Sequence, residues 1–556
     1  MDAPCTPDRH SSAAAEHPIE QPYVPTSEKG GGRAAFLVAA GIFLSRIAGL
    51  VRERVFAHYF GNSIAADAFK AGFRIPNLLQ NLFGEGVLSA SFIPVYAGLI
   101  AQDDKEEAGR VAGAVAALLA LVTSLLVLAG VLLTPVLIDA IAPGFEGEKR
   151  ELTIRLVRIL FPSVGLLVIS AWCLGVLNSH RRFFLSYVAP VIWNAAMIGS
   201  MVIFGGELGP FPLAETLAWG SVVGSALQIA VQLPAVLSLV PQLRIALDFA
   251  LRSVRTVIRN FVPVFISRGV VQISAYIDNL LASLLPTGAV AAIAYAQILY
   301  TLPVSLFGMS VSAAELPAMS SIVGSEEEVA AYLRGRLESG LRRIAFFIVP
   351  SAMMFLALGD VVTAAIYQTG RFTRDDTVYV WAILAGSTVG LLASTLGRLY
   401  SSTYYALRDT RSPLRFAIVR VTMTTVLGYL LAVVLPPLFG IEERWGAVGL
   451  ALSGGMAGWI EFMLLRGKLN RRVGRTGLRA AFLARLWAAA IIAGALGWGI
   501  KLLTAGMHPV LMAALVLAPY GACYVALTSM FGIGEATALT DRLRRSRKSK
   551  VKSQKS

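Results

Sequence analysis

The sequence predicts an all-α polytopic membrane protein with about fourteen transmembrane helices. Three observations carry that expectation. Hydrophobic residues make up 56% of the 556-residue chain and charged residues only 15%, too few polar groups to cover a water-soluble protein of this size. Mean hydropathy is +0.66. The apolar residues also fall in runs of about twenty, the length that spans a hydrocarbon core, and the short loops between them carry Arg and Lys.

Taken in order, the spans lie at approximately 34–51, 65–100, 111–141, 152–177, 184–205, 212–240, 257–284, 287–317, 338–367, 378–406, 414–438, 445–465, 481–504 and 508–532. The second and eighth are long and interrupted by Gly and Pro, so both are expected to kink. Residues 325–343, with acids and bases at helical spacing, read as a solvated or interfacial helix ahead of the ninth span. Residues 1–33 are polar and rich in Pro, Ser, Ala and Gly and read as a disordered cytoplasmic tail. They lack the basic start, apolar stretch and cleavage site of a signal peptide. Cys5, Cys173 and Cys523 lie far apart, with no metal or redox spacing, and no cofactor or metal is expected.

The net charge of +15 would suggest nucleic acid on a soluble protein. Here the basic residues sit in short loops and in a basic tail at 535–556, which points to topology and anionic lipid and to no nucleic-acid partner. With the N-terminus inside, about 22 basic loop residues fall inside against about 8 outside. An even number of spans then puts both termini in the cytoplasm.

A repeat runs through the chain. Phe43-Leu44-Ser45-Arg46 is answered by Phe265-Ile266-Ser267-Arg268, Arg74-Ile75-Pro76 by Tyr300-Thr301-Leu302-Pro303, and Ser91-Phe92-Ile93-Pro94 by Glu315-Leu316-Pro317. Val176 to Arg181 is answered by Tyr404 to Arg408. The offset stays at about 225 residues, as expected of two homologous six-helix halves with a substrate site between them. The expected organisation is therefore an N-lobe at 34–241, a C-lobe at 242–466, two further helices at 467–534, and the two tails.

Charge inside hydrocarbon is costly and marks function by default. On the second span Asp67, Arg74, Asn81 and Glu85 share one face of a straight helix within about 40°, so the stripe must line a cavity or another helix. On the first span Arg46 and Glu53 share a face, and Arg52 points about 120° away. Asp67–Arg74 and Arg46–Glu53 are the pairings that local spacing allows. Pairing does not absorb every charge, because Arg46, Arg52, Arg54, Arg74 and Arg268 face only Glu53, Asp67, Glu85 and Asp278. A cation-rich cavity suits an anionic cargo, and the planar fork of arginine suits phosphate in particular. Glu53 and Asp278 are candidates for an ion or structural role. No HExxH, Walker loop or GxSxG is present, so no enzyme is expected. Transport without an ATP site draws on an ion gradient, the membrane potential or downstream consumption of product.

The run from Leu44-Ser45-Arg46 through Val51-Arg52-Glu53, Asp67-Ala68-Phe69, Phe73-Arg74-Ile75-Pro76-Asn77-Leu78-Leu79, Phe83-Gly84-Glu85-Gly86 and Ser91-Phe92-Ile93-Pro94 resembles the signature of the MurJ/MviN family. Leu177-Asn178-Ser179 and Tyr405 to Pro413 support it, and the likeness covers roughly residues 34 to 465. The resemblance implies a fold of the MOP superfamily, with two six-helix lobes around a central cavity and two C-terminal helices that form a groove for a lipid tail. It implies flipping of lipid II, the undecaprenyl-diphosphate-linked peptidoglycan precursor, from the inner to the outer leaflet of the bacterial cytoplasmic membrane by alternating access. Arg46, Arg52, Asp67, Arg74, Asn77, Gln80, Glu85, Arg268 and Gln297 are the cargo-binding candidates. Gln80 and Gln297 stand where the family carries arginine, and Arg268, the repeat mate of Arg46, is expected to compensate. The eleventh span has no acidic residue, unlike relatives with a proposed sodium site. Lipid II or a related polyprenyl-diphosphate glycolipid is the expected partner, with cell-wall synthesis proteins as further candidates and a monomer as the expected state. The alternatives are export of another undecaprenyl-linked glycan, which Gln80 and Gln297 motivate, and a non-transporting cell-wall scaffold.

Overall fold

The computed structural model describes residues 31–322 and 324–538, with the side chains at 31–39, 42, 85, 267, 268 and 270–275 outside that description. The described residues form helices and loops, with no strand among them. Eleven helices are long and apolar enough to cross a membrane, and a twelfth span is the pair Arg374–Thr388 and Leu391–Ala406, bent by 45°. Two more rods of 30 and 32 residues are each about 45–48 Å long, which is compatible with the expected fourteen. In chain order, α1 is Gly31–Phe60, α2 Ile64–Ala101, α3 Lys105–Leu132, α4 Gly147–Ser179, α5 Phe183–Phe204, α6 Pro210–Leu239 and α7 Arg252–Ser283. Then come α8 Ala289–Ser320, α9 Glu326–Tyr367, α10 the bent pair, α11 Arg411–Leu438, α12 Glu443–Val473, α13 Ala480–Leu503 and α14 Pro509–Met530.

The expected kinks are present. α2 breaks at Gly84 and again at Phe92, and α8 passes through a π-helical turn, Val304–Met309, directly after Pro303. Proline removes one backbone donor and crowds the preceding turn, and the wider turn absorbs the mismatch. The break at Gly84 also ends the straight stripe expected along α2, so Glu85 starts a new helical segment. Residues 325–343 do not form a separate helix. They are the first turns of the 42-residue α9, which starts at a capping box: Ser325 Oγ accepts from the Glu328 amide at 3.3 Å, and Glu328 accepts from the Ser325 amide at 2.9 Å.

Within the first half, α4 packs on α2, α3 and α6, and α5 packs on α1 and α6. Within the second, α12 packs on α10 and α11, and α10 on α8 and α9. The backbone carries the repeat as well. Left-handed residues occur in pairs spaced by about 225 positions: Gly61 and Gly288, Gly147 and Gly370, Arg181 and Arg408. Such φ values are rare for L-residues, so their recurrence marks equivalent turns in the two halves. α13 and α14 pack together and onto α9. Pro350 of α9 lacks the amide that would bond the Phe346 carbonyl, and the Tyr524 hydroxyl of α14 donates to that carbonyl at 2.7 Å. Lys501 of α13 pairs with Asp360 of α9 at 2.6 Å.

The halves meet at one end through a clamp. Asp67 near the start of α2 is fully buried. Its Oδ2 accepts from Lys149 Nζ and from the Gly288 amide, each at 2.7 Å, and its Oδ1 accepts from the Ala291 amide at 2.8 Å. Gly288 is the N-cap of α8 and has no side chain with which to cap it. A carboxylate from the other half therefore satisfies two of the orphan amides that every helix start presents, where the helix dipole favours negative charge. Around it, Tyr295 Oη donates to the Gly61 carbonyl at 3.0 Å, Asn62 donates to Asp376 at 3.0 Å, and the Arg371 amide donates to the His58 carbonyl at 2.8 Å. Arg54 of α1 reaches the carbonyls of Ala365 and Ile366 at the C-terminus of α9, the end at which a cation is favoured. Gly61 is required here: a Cβ on it would sit 2.7 Å from the Arg371 carbonyl oxygen. Toward the opposite, basic end, Phe83 of α2 packs with Phe261 and Phe265 of α7, centroids 5.7 and 5.2 Å away.

Two outcomes follow from this packing. Asp67→Ala leaves the half-buried Lys149 without its partner, a change worth up to about 3–5 kcal/mol, and exposes the α8 amides. Hydrogen exchange of the segment around Gly288 and Ala291 is expected to accelerate at least about ten-fold. Tyr524→Phe strands the Phe346 carbonyl at a cost of about 1–3 kcal/mol, read as a lower unfolding temperature of the purified protein.

Candidate functional site

Between the clamp and the aromatic contact lies a band of charge on α1, α2 and α7. Glu53 is 5% exposed, and a carboxylate at that depth needs partners. Arg52 supplies one at 2.8 Å and Lys70 of α2 the other at 2.5 Å. The Arg52 guanidinium also lies over the Trp193 ring of α5, 5.1 Å from its centroid, and Lys70 lies 4.2 Å from the Phe56 centroid, contacts that hold cations in place where water is scarce. The triad carries one net positive charge. Arg46, two turns before Glu53 on α1, is exposed and makes no hydrogen bond or ion pair among the described residues.

On α2, Arg74 is half-buried, and its carbonyl accepts from Tyr276 Oη of α7 at 3.1 Å. Its guanidinium lies within electrostatic reach of Asp278. Asn77, one turn on, is exposed. Gln80 lines an N-lobe cavity of about 460 Å³ together with Asn81, Ser170 and Gln228, where Gln228 donates to Ser170 Oγ at 2.7 Å and Ser170 donates to Gln232 at 2.6 Å. Gln297 and Asp278 line a separate cavity of about 290 Å³ in the second half, with Tyr300, Arg398 and Arg420. Gln297 donates to Thr301 Oγ1 at 3.2 Å. The side chains of Glu85 and Arg268 lie outside the described residues.

The structure thus gathers Arg52, Glu53 and Arg74 in one band and sets Gln80 and Gln297 in two cavities, one per half. Asp67 goes elsewhere: both its oxygens are used by the clamp, facing Lys149 and α8 rather than open space. The pairings that spacing along one helix allows, Asp67–Arg74 and Arg46–Glu53, are replaced by Asp67–Lys149 and Glu53–Lys70, because partners on neighbouring helices come closer. Lys70, Lys149, Arg398, Arg420 and Glu461 were missed. The signal was present for four of them: Lys70, Arg398, Arg420 and Glu461 are charged residues inside apolar spans, the same criterion that picked out Arg46 and Arg74. In the band, Arg46, Arg52, Lys70 and Arg74 stand against Glu53 and Asp278, so the surplus is cationic. Its chemistry is recognition of phosphate or carboxylate oxygens by guanidinium forks.

Comparison with known proteins places this arrangement in context. The family model described as lipid II flippase MurJ matches residues 56–518. A probable lipid II flippase MurJ from Rhizobium tropici is 33% identical over 445 residues, covering 79% of this chain and 80% of the relative. The lipid II flippase MurJ of Burkholderia cenocepacia is 31% identical over 477 residues, covering 84% and 89%. Among solved structures, lipid II flippase MurJ in an inward closed conformation aligns with a TM-score of 0.73 at 22% identity, covering 89% of this chain and 98% of that one. An inward-facing multidrug resistance MATE transporter of the MOP superfamily aligns with a TM-score of 0.63 at 17% identity, covering 79% and 98%. The fold is thus the two-lobed MOP fold, and the chain belongs to the MurJ family of lipid II flippases.

Proposed function

We propose that this chain flips lipid II across the bacterial cytoplasmic membrane by alternating access. The observation that carries the reading is the cationic band between the two halves of a MurJ-family fold. Arg46, Arg52 and Arg74 bind the diphosphate and adjoining sugar, with Asn77, Gln80 and Gln297 as neutral hydrogen-bonding groups and Arg268 and Glu85 completing the set. Glu53 holds Arg52 and Lys70 in position. Asp67 acts on the conformation rather than the cargo.

The excess of Arg and Lys in the loops at the end opposite the clamp supports a cytoplasmic location for that end, and in this reading both termini lie on that side. The clamp is then the outer gate. The headgroup enters from the inner side and meets cations held in a low dielectric, where their hydrogen bonds to an anion are strong. Breaking the clamp releases it outward, while the prenyl tail stays in lipid beside α13 and α14. The chain works as a monomer, with the membrane and the lipid as its partners and cell-wall synthesis proteins as recipients of the product. The names of the relatives favour lipid II over another polyprenyl-linked glycan or a scaffold role.

Arg52→Gln removes a charge-assisted contact worth about 1.5–3 kcal/mol. Lipid II affinity of the purified protein is expected to fall about ten-fold or more, and lipid II exposure in the outer leaflet of cells relying on this chain is expected to fall with it. Arg52→Lys keeps the charge and loses the fork, so it falls between the two. Unchanged affinity and exposure in Arg52→Gln at normal expression contradict the cationic-band reading. Orientation has its own check. In a chain cleared of its own cysteines, Gly206→Cys in the α5–α6 loop is expected to react with a membrane-impermeant maleimide in intact spheroplasts, and Gln242→Cys in the α6–α7 loop only after lysis.

A further inference from the structure

The cavity in the second half lies between α7, α8, α10, α11 and α12, away from the Arg52–Glu53–Lys70 triad. Arg398 of α10 and Arg420 of α11 both line it, close enough for their charges to repel. Arg420 meets Glu461 of α12 at 3.5 Å, a long contact that leaves most of its five donors unused. Arg398 is exposed and makes no hydrogen bond or ion pair among the described residues. Asp278 sits within electrostatic reach of Arg420 and also of Arg74, so its charge is shared with the central band. Arg398 lies within electrostatic reach of Glu461 as well, so the two guanidiniums that line the cavity share Glu461 and part of the charge of Asp278. Part of the wall is bare: Gly454 and Gly458 of α12 line the cavity, and a Cβ at Gly454 would meet nothing within 4 Å.

Two like charges held together at membrane depth are unfavourable unless an anion joins them. We propose that this cavity is a second anion subsite for the cargo, in which Arg398 and Arg420 together bind a phosphate or carboxylate group of the headgroup. Gln297, on the same wall, adds a neutral amide. The two halves then hold different parts of one headgroup, the first at Arg46 and Arg52 and the second at Arg398 and Arg420. The cation that Gln297 does not supply comes from α10 and α11. The proposal rests on the flippase reading above, and it assigns binding work to residues on helices outside the charged stripe of α1 and α2.

The test is binding of lipid II and, separately, of undecaprenyl diphosphate to the full-length protein in nanodiscs. Arg398→Gln is expected to weaken lipid II binding about ten-fold or more, and Arg398→Lys by less, since it keeps the charge and loses the fork. Gly454→Val narrows the cavity without changing charge and is expected to weaken binding too. Equal losses for both lipids in Arg398→Gln identify the diphosphate as the bound group. A loss for lipid II alone identifies a carboxylate of the peptide. If wild type binds lipid II and neither Arg398→Gln nor Gly454→Val weakens either lipid, the subsite is refuted while the flippase reading stands. If wild type binds neither lipid, the flippase reading falls and takes the subsite with it. Arg398→Lys and size-exclusion profiles separate loss of binding from loss of fold.

Discussion

One carboxylate sets the relation between the two halves. Asp67 leaves α2 and serves as the missing side-chain cap of α8, in a helix start whose own N-cap is a glycine. Such a bond is strong because the amides are orphans and the site is dry, and like the apolar packing around it, where the Phe56 ring of α1 lies 6.2 Å from the Tyr295 ring of α8 centroid to centroid, it is non-covalent. Lys149 makes the burial tolerable by supplying a counter-charge. The neighbouring contacts, Asn62 with Asp376, Tyr295 with Gly61 and Arg371 with His58, are single hydrogen bonds that depend on the same approach of the α1–α2 turn. In the proposed cycle this end is the outer gate, and loss of the central cap weakens the alignment on which the neighbouring contacts depend.

The charged band follows from the same constraint. With Asp67 committed to the clamp, Lys70, three residues further along α2, pairs with Glu53 of α1 and ties the first two helices together beneath it. Arg52 then keeps part of its fork for something else, and Arg46 makes no hydrogen bond or ion pair among the described residues. A cavity that must admit an anion and later release it benefits from cations that are half-satisfied: full pairing would exclude the cargo, and none would make the empty site too costly. The second cavity repeats that arrangement with Arg420 and Glu461, at a longer distance.

Much of this was legible in the sequence. The span positions, the kinks in α2 and α8 and the cationic surplus of α1 and α2 follow from run length, Pro and Gly placement and intramembrane charge. The repeat was readable from short matches, and the left-handed residues at Gly61 and Gly288 and at Arg181 and Arg408 carry it into the backbone. What local spacing did not reveal is who pairs with whom. Asp67 and Arg74 share a helix face, yet Asp67 turns to Lys149 and α8, some 82 and 221 residues away along the chain. Helix periodicity reports which face a residue occupies, and it contains nothing about which other helix lies against that face. Residues 325–343 are helical and largely exposed in their first turns, as expected. Their polarity marks solvent exposure, whereas the helix itself runs on unbroken into the membrane as α9.

The central claim is that the Asp67 end must open for cargo to leave. His58 Nδ1 and Thr369 Oγ1 lie 2.9 Å apart across that end, so His58→Cys with Thr369→Cys places two thiols where oxidation can lock it. Lipid II accessibility in the outer leaflet, measured in cells that rely on this chain, is the direct readout. The account predicts that cross-linking abolishes exposure and that a reductant restores it. Exposure that continues at the wild-type rate in the fully cross-linked protein contradicts it.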